Sequence, residues 1–182
     1  MIPHPVERLK QNDLPACFQE LGAELDARAG DPEGENKPSR FIFIHGIQKF
    51  PKLRYEDDFS FSSDANNANP GAVLNRLICE GARLGFHSII TCDTYNNTTR
   101  FLSRKAISEL EMRLLFQMSA NDSASLIDNP KACQLGMHRA LFYNSQESHL
   151  ETFRPYALPD RHWVQEAGEH LKRLLRTPPT PR

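Results

Sequence analysis

The chain has 182 residues, 39% of them hydrophobic, and its 22 Lys+Arg against 23 Asp+Glu leave a formal net charge of -1. That length holds one core-forming domain rather than two. The even charge balance excludes a module that attaches to nucleic acid by overall basic attraction, so any such contact must be local. No run of eighteen apolar residues occurs, and the opening MIPHPVERLK has no leader-like pattern, so a soluble cytoplasmic protein without a membrane segment is expected.

The first predicted element is a helix over 14–29, where Asp13 stands at the cap, Pro15 fits the first turn, and Phe18, Leu21 and Leu25 repeat at helical spacing. Gly30 and the polar DPEGENKPS end it, so 1–39 reads as an N-terminal helix with a linker. Phe41 to Ile44 is a continuous apolar run without alternation, which predicts a strand buried on both faces of a parallel sheet. The stretch from Lys49 to Asn69 is longer and more polar than an ordinary connection, so a functional or partly disordered loop is expected.

Asn69-Pro70 opens a second helix running to about Leu84 and closed by Gly85, and His87 to Cys92 follows as a second buried strand. A short helix near Ser103 leads into a third strand over 112–118, and a capped turn begins at Asp122. The order strand, helix, strand, helix, strand argues for a parallel sheet with right-handed crossovers, and places function beyond the carboxyl ends of the strands. Residues 139–143 and 150–153 form an antiparallel hairpin closing a core over 40–158. Asp160 caps a final helix within 159–176 that carries Trp163, Val164, Ala167, Leu171 and Leu174, and the proline-rich 177–182 is a disordered tail. Cys17, Cys79, Cys92 and Cys133 are widely spaced and read as reduced, mostly buried thiols.

Four strings in one order carry a family resemblance. RFIFIHGIQKF is similar to a Walker B strand, and GARLGFHSIITCDTYN resembles the sensor strand that follows it, with Gly85 and His87 in register. MRLLFQMSANDSASLID resembles the next segment, keeping Phe116, Ser119, Asp122 and Ser123, and QLGMHRALFY resembles the closing hairpin, keeping Gly136 and Tyr143. Together they resemble the second half of the FtsK/SpoIIIE DNA translocase motor over roughly residues 41–155. The resemblance implies an α/β fold of the RecA-like P-loop NTPase type: a mostly parallel sheet flanked by helices, ending in an antiparallel hairpin, as an incomplete motor core. It also implies ATP and magnesium in a longer parent protein, DNA as a partner, and a homo-oligomer, hexameric by analogy.

The same alignment defines the candidate site. The family's Walker B Asp and Glu positions are held by His45 and Gly46, which can supply neither a hard oxygen ligand for magnesium nor a group to polarise water. Asp93 occupies the sensor position next to Thr94, and Arg113 keeps its family position, so Asp93, Thr94 and Arg113 are the nucleotide-facing candidates. Asp57 and Asp58 could also return a carboxylate to a metal, and Ala124 stands where the family has an arginine. No GxxxxGK[ST] loop is present, so no triphosphate cradle lies within the chain. Lys49, Lys52 and Arg54 after the first strand, with Arg100, Arg104 and Lys105 after the second, are the candidate DNA contacts. The expected function is therefore part of an ATP-driven DNA translocase, completed by an upstream P-loop. The alternative is a catalytically silent module of the same fold used for assembly or protein binding.

Overall fold

The computed structural model describes residues 4–56 and 69–176. Asp57, Asp58, most of the long polar loop and the terminal prolines lie outside the described residues. The chain divides into two compact units, Leu9–Phe153 and a smaller one made of Met1–Arg8 with Arg154–Arg182.

The larger unit begins with α1 (Leu14–Ala29), which packs on α2 (Pro70–Glu80). Asp13 stands at the start of α1, but its carboxylate accepts from the backbone N–H of Lys10 rather than from the helix. The apolar stripes of the two helices meet β1 (Arg40–His45) and β2 (Phe86–Thr91), burying Leu14, Phe18, Leu25, Ile44, Leu74, Leu77 and Phe86 in one cluster. The strands are parallel, in register from Arg40 opposite Phe86 to His45 opposite Thr91. Asn69 caps α2 by accepting from the N–H of Gly71, and Gly85, at φ 81°, makes the left-handed turn into β2 that only glycine adopts without strain.

Two buried polar residues lock this layer. Arg28 is 6% exposed; it donates to the carbonyls of Leu84 and Pro38, pairs with Glu24 at 2.6 Å, and stacks over the Phe86 ring at 4.6 Å. Burial raises the pKa of the Glu24 carboxyl, but the hydrogen bonds from Arg28 and Arg40 outweigh it and the net shift is downward. Asn75, inside α2, donates to the carbonyls of Gly71 and Phe101 and accepts from the N–H of Ser103, tying the helix to the chain beyond β2.

The expectation that the first strand is buried on both faces is corrected. Ile42 and Ile44 face the helices, whereas Phe41 and Phe43 are 61% and 71% exposed, and Ile89 of β2 is 53% exposed. Both covering helices lie on one side, so a continuous apolar run here has only half of itself covered by described residues. The third strand is corrected as well. β3 is confined to Met112–Leu115 and does not join the parallel pair. It runs antiparallel to β4 (Ala140–Asn144), which pairs with β5 (His149–Phe153), in a separate three-stranded sheet. An apolar run specifies burial but not a partner, and the partner is chosen by which backbone edge the chain brings alongside.

Between the sheets, the polar segment after β2 forms a helix the sequence reading missed, α3 (Tyr95–Phe101), followed by α4 (Arg104–Glu109) with Ser103 as its cap. α5 (Ala120–Ile127) starts before the expected turn at Asp122, because Ser119 is the cap and accepts from the Asp122 N–H. With the turn Pro130–Gln134, α5 covers the second sheet around Leu115, Ile127, Ala132, Leu135 and Leu141. The four cysteines are free and half-buried, less enclosed than expected. In the smaller unit, α6 (Arg161–Arg176) is capped by Asp160, which accepts from the Trp163 N–H at 2.7 Å, and it leaves Trp163 and Leu174 exposed. Among the described residues, no helix is long and apolar enough to cross a membrane.

Candidate functional site

The parallel pairing brings the carboxyl ends of β1 and β2 together, so the Walker B and sensor positions inferred from sequence are neighbours in space. His45 lies opposite Thr91, with its Nδ1 3.1 Å from the Thr91 hydroxyl. That hydroxyl also accepts the backbone N–H of Gly46 at 2.8 Å. One threonine therefore fastens the end of β1 to the end of β2.

Gly46 is buried, at φ 72°, in the left-handed region, and starts a single turn, Ile47–Lys49, whose last N–H returns to the Gly46 carbonyl at 2.9 Å. The side chain of Lys49 folds back over it. A Cβ on Gly46 would stand 3.0 Å from Lys49 Cε and 3.3 Å from its Nζ. Position 46, where the resembled family has its water-polarising Glu, is thus shaped for glycine and roofed by an ammonium.

At the end of β2, Asp93 and Thr94 lead into α3. The Asp93 carboxylate accepts from the Asn97 side-chain amide at 2.8 Å and from the Thr94 hydroxyl at 3.3 Å. The Asn97 bond is the largest cause of a downward shift in its pKa, so the group is held as the anion. Thr94 caps α3 by accepting from the Asn97 N–H. Both residues are exposed at the strand end, and their oxygen atoms serve the first turn of the helix.

Arg113 sits apart from this pair of tips, on β3 in the antiparallel sheet. Its guanidinium donates to the carbonyls of Leu110 and Ile107, at 3.0 and 2.8 Å, and to that of Leu126. Those bonds close the ends of α4 and α5 against the strand. The basic candidates are differently placed. Lys49, Lys52 and Arg54 lie on or just after the two short turns that follow β1 (Ile47–Lys49, Pro51–Leu53), and the Tyr55 N–H donates to the carbonyl of Arg100 at 3.2 Å. That bond joins the first basic stretch to the last turn of α3. Arg104 and Lys105 open α4. All six side chains are exposed, and none forms a salt bridge among the described residues.

The magnesium that the resemblance implies does not suit this donor set. Magnesium takes carboxylate, phosphate and water oxygens in octahedral geometry, while the β1 tip offers an imidazole, a glycine and a lysine. Among the described residues of the two tips, Asp93 is the one carboxylate, and it is already engaged by Asn97 and Thr94. Among the described residues, no group of three His, Cys, Asp or Glu is placed to hold a metal ion.

Three contributors were missed from sequence: the Thr91 hydroxyl, the return of Lys49 over Gly46, and the Asn75 clamp. Outward parity on β2 could have found Thr91. The other two depend on backbone turns that no spacing announces.

No family model matches the chain, and no curated protein matches it. Among solved structures it is similar to the genome packaging NTPase B204 of Sulfolobus turreted icosahedral virus 2. The complex with sulfate aligns with a TM-score of 0.49 at 8% identity, covering 84% of this chain and 74% of that one. The complex with ATP-gammaS aligns with a TM-score of 0.48 at 9% identity, covering 84% and 76%. The chain itself has a mixed α/β fold, a parallel strand pair flanked by helices and a separate antiparallel sheet. At such identity and score the likeness assigns this chain neither an activity nor a ligand.

Proposed function

We propose that this chain is the Walker B-to-sensor half of an FtsK-type motor core, with nucleotide bound between its strand tips and a P-loop supplied by polypeptide upstream, and with DNA as the substrate moved. The observation that carries the reading is the junction of the two strand ends. The two strings that resemble the Walker B and sensor strands are adjacent parallel strands, joined at their carboxyl ends through His45, Thr91 and Gly46. In open α/β sheets, ligands bind beyond such ends. The uncovered apolar face at Phe41, Phe43 and Ile89 is consistent with a sheet that further polypeptide completes. Assembly into a homo-oligomer, hexameric by analogy, and location in the cytoplasm belong to the same proposal.

Within this reading His45 and Gly46 hold the Walker B positions, Asp93 and Thr94 flank the nucleotide at the sensor position, and Arg113 keeps its family place. Lys52, Arg54, Arg100, Arg104 and Lys105 face DNA phosphates, and Lys49, at the tip of β1, stands between that basic stretch and the nucleotide. The alternative, a silent module used for assembly, is favoured by one feature: the tip of β1 carries no acid to orient water.

The deciding experiment uses the natural polypeptide that contains this chain. Its upstream sequence is read for GxxxxGK[ST], and ATP turnover is measured with and without double-stranded DNA. DNA-stimulated turnover supports the motor. A missing loop, or a present loop with no turnover, supports the silent module.

A further inference from the structure

The site carries a positive charge where the resembled family gathers negative ones. The ammonium of Lys49 lies beside Gly46, 3.3 Å from the point a Cβ would occupy, and among the described residues no carboxylate pairs with it. Its backbone is anchored on both sides: the Lys49 N–H donates to the Gly46 carbonyl at 2.9 Å, and the Lys49 carbonyl accepts from the Gln11 side chain at 2.9 Å. The turn therefore holds the backbone of Lys49, and its exposed side chain lies over Gly46. Asp93, the acid at the end of the neighbouring strand, is held against α3 by Asn97 and Thr94.

A lysine ammonium is a compact cation with three donors and binds phosphate as a point charge. A magnesium ion in a motor site does comparable work, since it neutralises phosphate oxygens, but it needs oxygen ligands that this tip does not provide. Resting on the nucleotide reading above, we infer that Lys49 meets the terminal phosphates of a bound nucleoside triphosphate directly, in place of a divalent ion held by this half. Nucleotide binding is then independent of magnesium. Gly46 belongs to the same device, because any side chain at its left-handed position would be strained and would stand where Lys49 now lies.

The test is calorimetric titration of ATP into the natural full-length polypeptide, in EDTA and again in excess magnesium. The expected Kd in EDTA lies within about threefold of that in magnesium. Lys49→Gln weakens ATP binding in EDTA about tenfold or more, from the worth of a hydrogen bond to a charged group, while Lys49→Arg largely preserves it. Thermal melts of both variants serve as the fold control, and an exposed lysine predicts no change in them. Binding that requires magnesium and ignores Lys49→Gln overturns the inference and leaves the proposed function standing. Absence of ATP binding in both buffers overturns the two together. If Lys49→Gln weakens binding of a DNA duplex while ATP affinity stays constant, the lysine serves DNA and the inference fails.

Discussion

The parallel pair β1–β2 and the antiparallel sheet β3–β5 treat their polar side chains in opposite ways. In the antiparallel sheet and its covering helix they are spent on the backbone: Arg113 holds three carbonyls, and the buried Ser123 hydroxyl donates to the Asn129 carbonyl while accepting from the Ala132 N–H. In the parallel pair the buried structural work is done at the amino end and beneath the sheet, by Arg28, while the carboxyl ends, tied through Thr91, keep Lys49, His45, Asp93 and Thr94 exposed. A side chain's charge does not reveal which of these fates it meets. What separates them is the supply of unpaired carbonyls within reach, which is large where helix ends converge and small at an open strand end.

The sharpest break of this comparison is Arg28→Met. It removes a buried guanidinium from the Leu84 and Pro38 carbonyls and leaves Glu24 without its closest partner, at a cost of about 3 kcal/mol. Urea denaturation of the purified chain reads it, and an unchanged midpoint would show that the clamp carries no weight. Arg113→Met comes next, at about 2 kcal/mol, since three carbonyls lose a charged donor in a less enclosed place. If the arginine is purely structural, ATP affinity of the full-length polypeptide stays within twofold of the unsubstituted protein. A tenfold loss with the fold intact would instead return Arg113 to the nucleotide, as the family resemblance implies.

Gly46→Ala is smaller, about 1 kcal/mol, the cost of a Cβ at φ 72°, because the Lys49 stem can move aside. Melting temperature measures the strain, and the displaced lysine predicts weaker ATP binding in EDTA from the same variant. Least of all is Phe43→Ser on the uncovered face of β1. Its ring is already 71% exposed, so stability of the isolated chain changes by less than about 0.5 kcal/mol. Solubility, read by light scattering, rises. A loss of several times that size would mean that the face is covered in solution.

Much of the fold was legible because local rules agreed with one another. The bounds of α1, the Asn69-Pro70 start of α2, the Gly85 turn, the hairpin and the Asp160 cap all rest on residues that act within a few positions of themselves. The α3 segment was missed since its Tyr-Asn-Asn-Thr-Thr run has weak helix propensity and no apolar stripe, and what holds it is Thr94 as cap with Phe101 as buried anchor. In the candidate site, the positions of His45, Gly46, Asp93 and Thr94 at adjacent strand ends could be anticipated. The engagement of Asp93 and Arg113 by neighbouring amides and carbonyls could not, because those partners are set by where chain ends converge.

By itself, the sequence determined most of the helices and strands, α3 excepted, and which residues would stand at the ends of β1 and β2, for periodicity, caps and turns are local properties of the chain. Only the tertiary structure decided that β3 leaves the parallel pair, that one face of that pair is apolar and open, and that Lys49 returns over Gly46. Those outcomes turn on which backbone edges and faces meet. The free energy of such meetings is shared between distant residues, and no single stretch of sequence contains it.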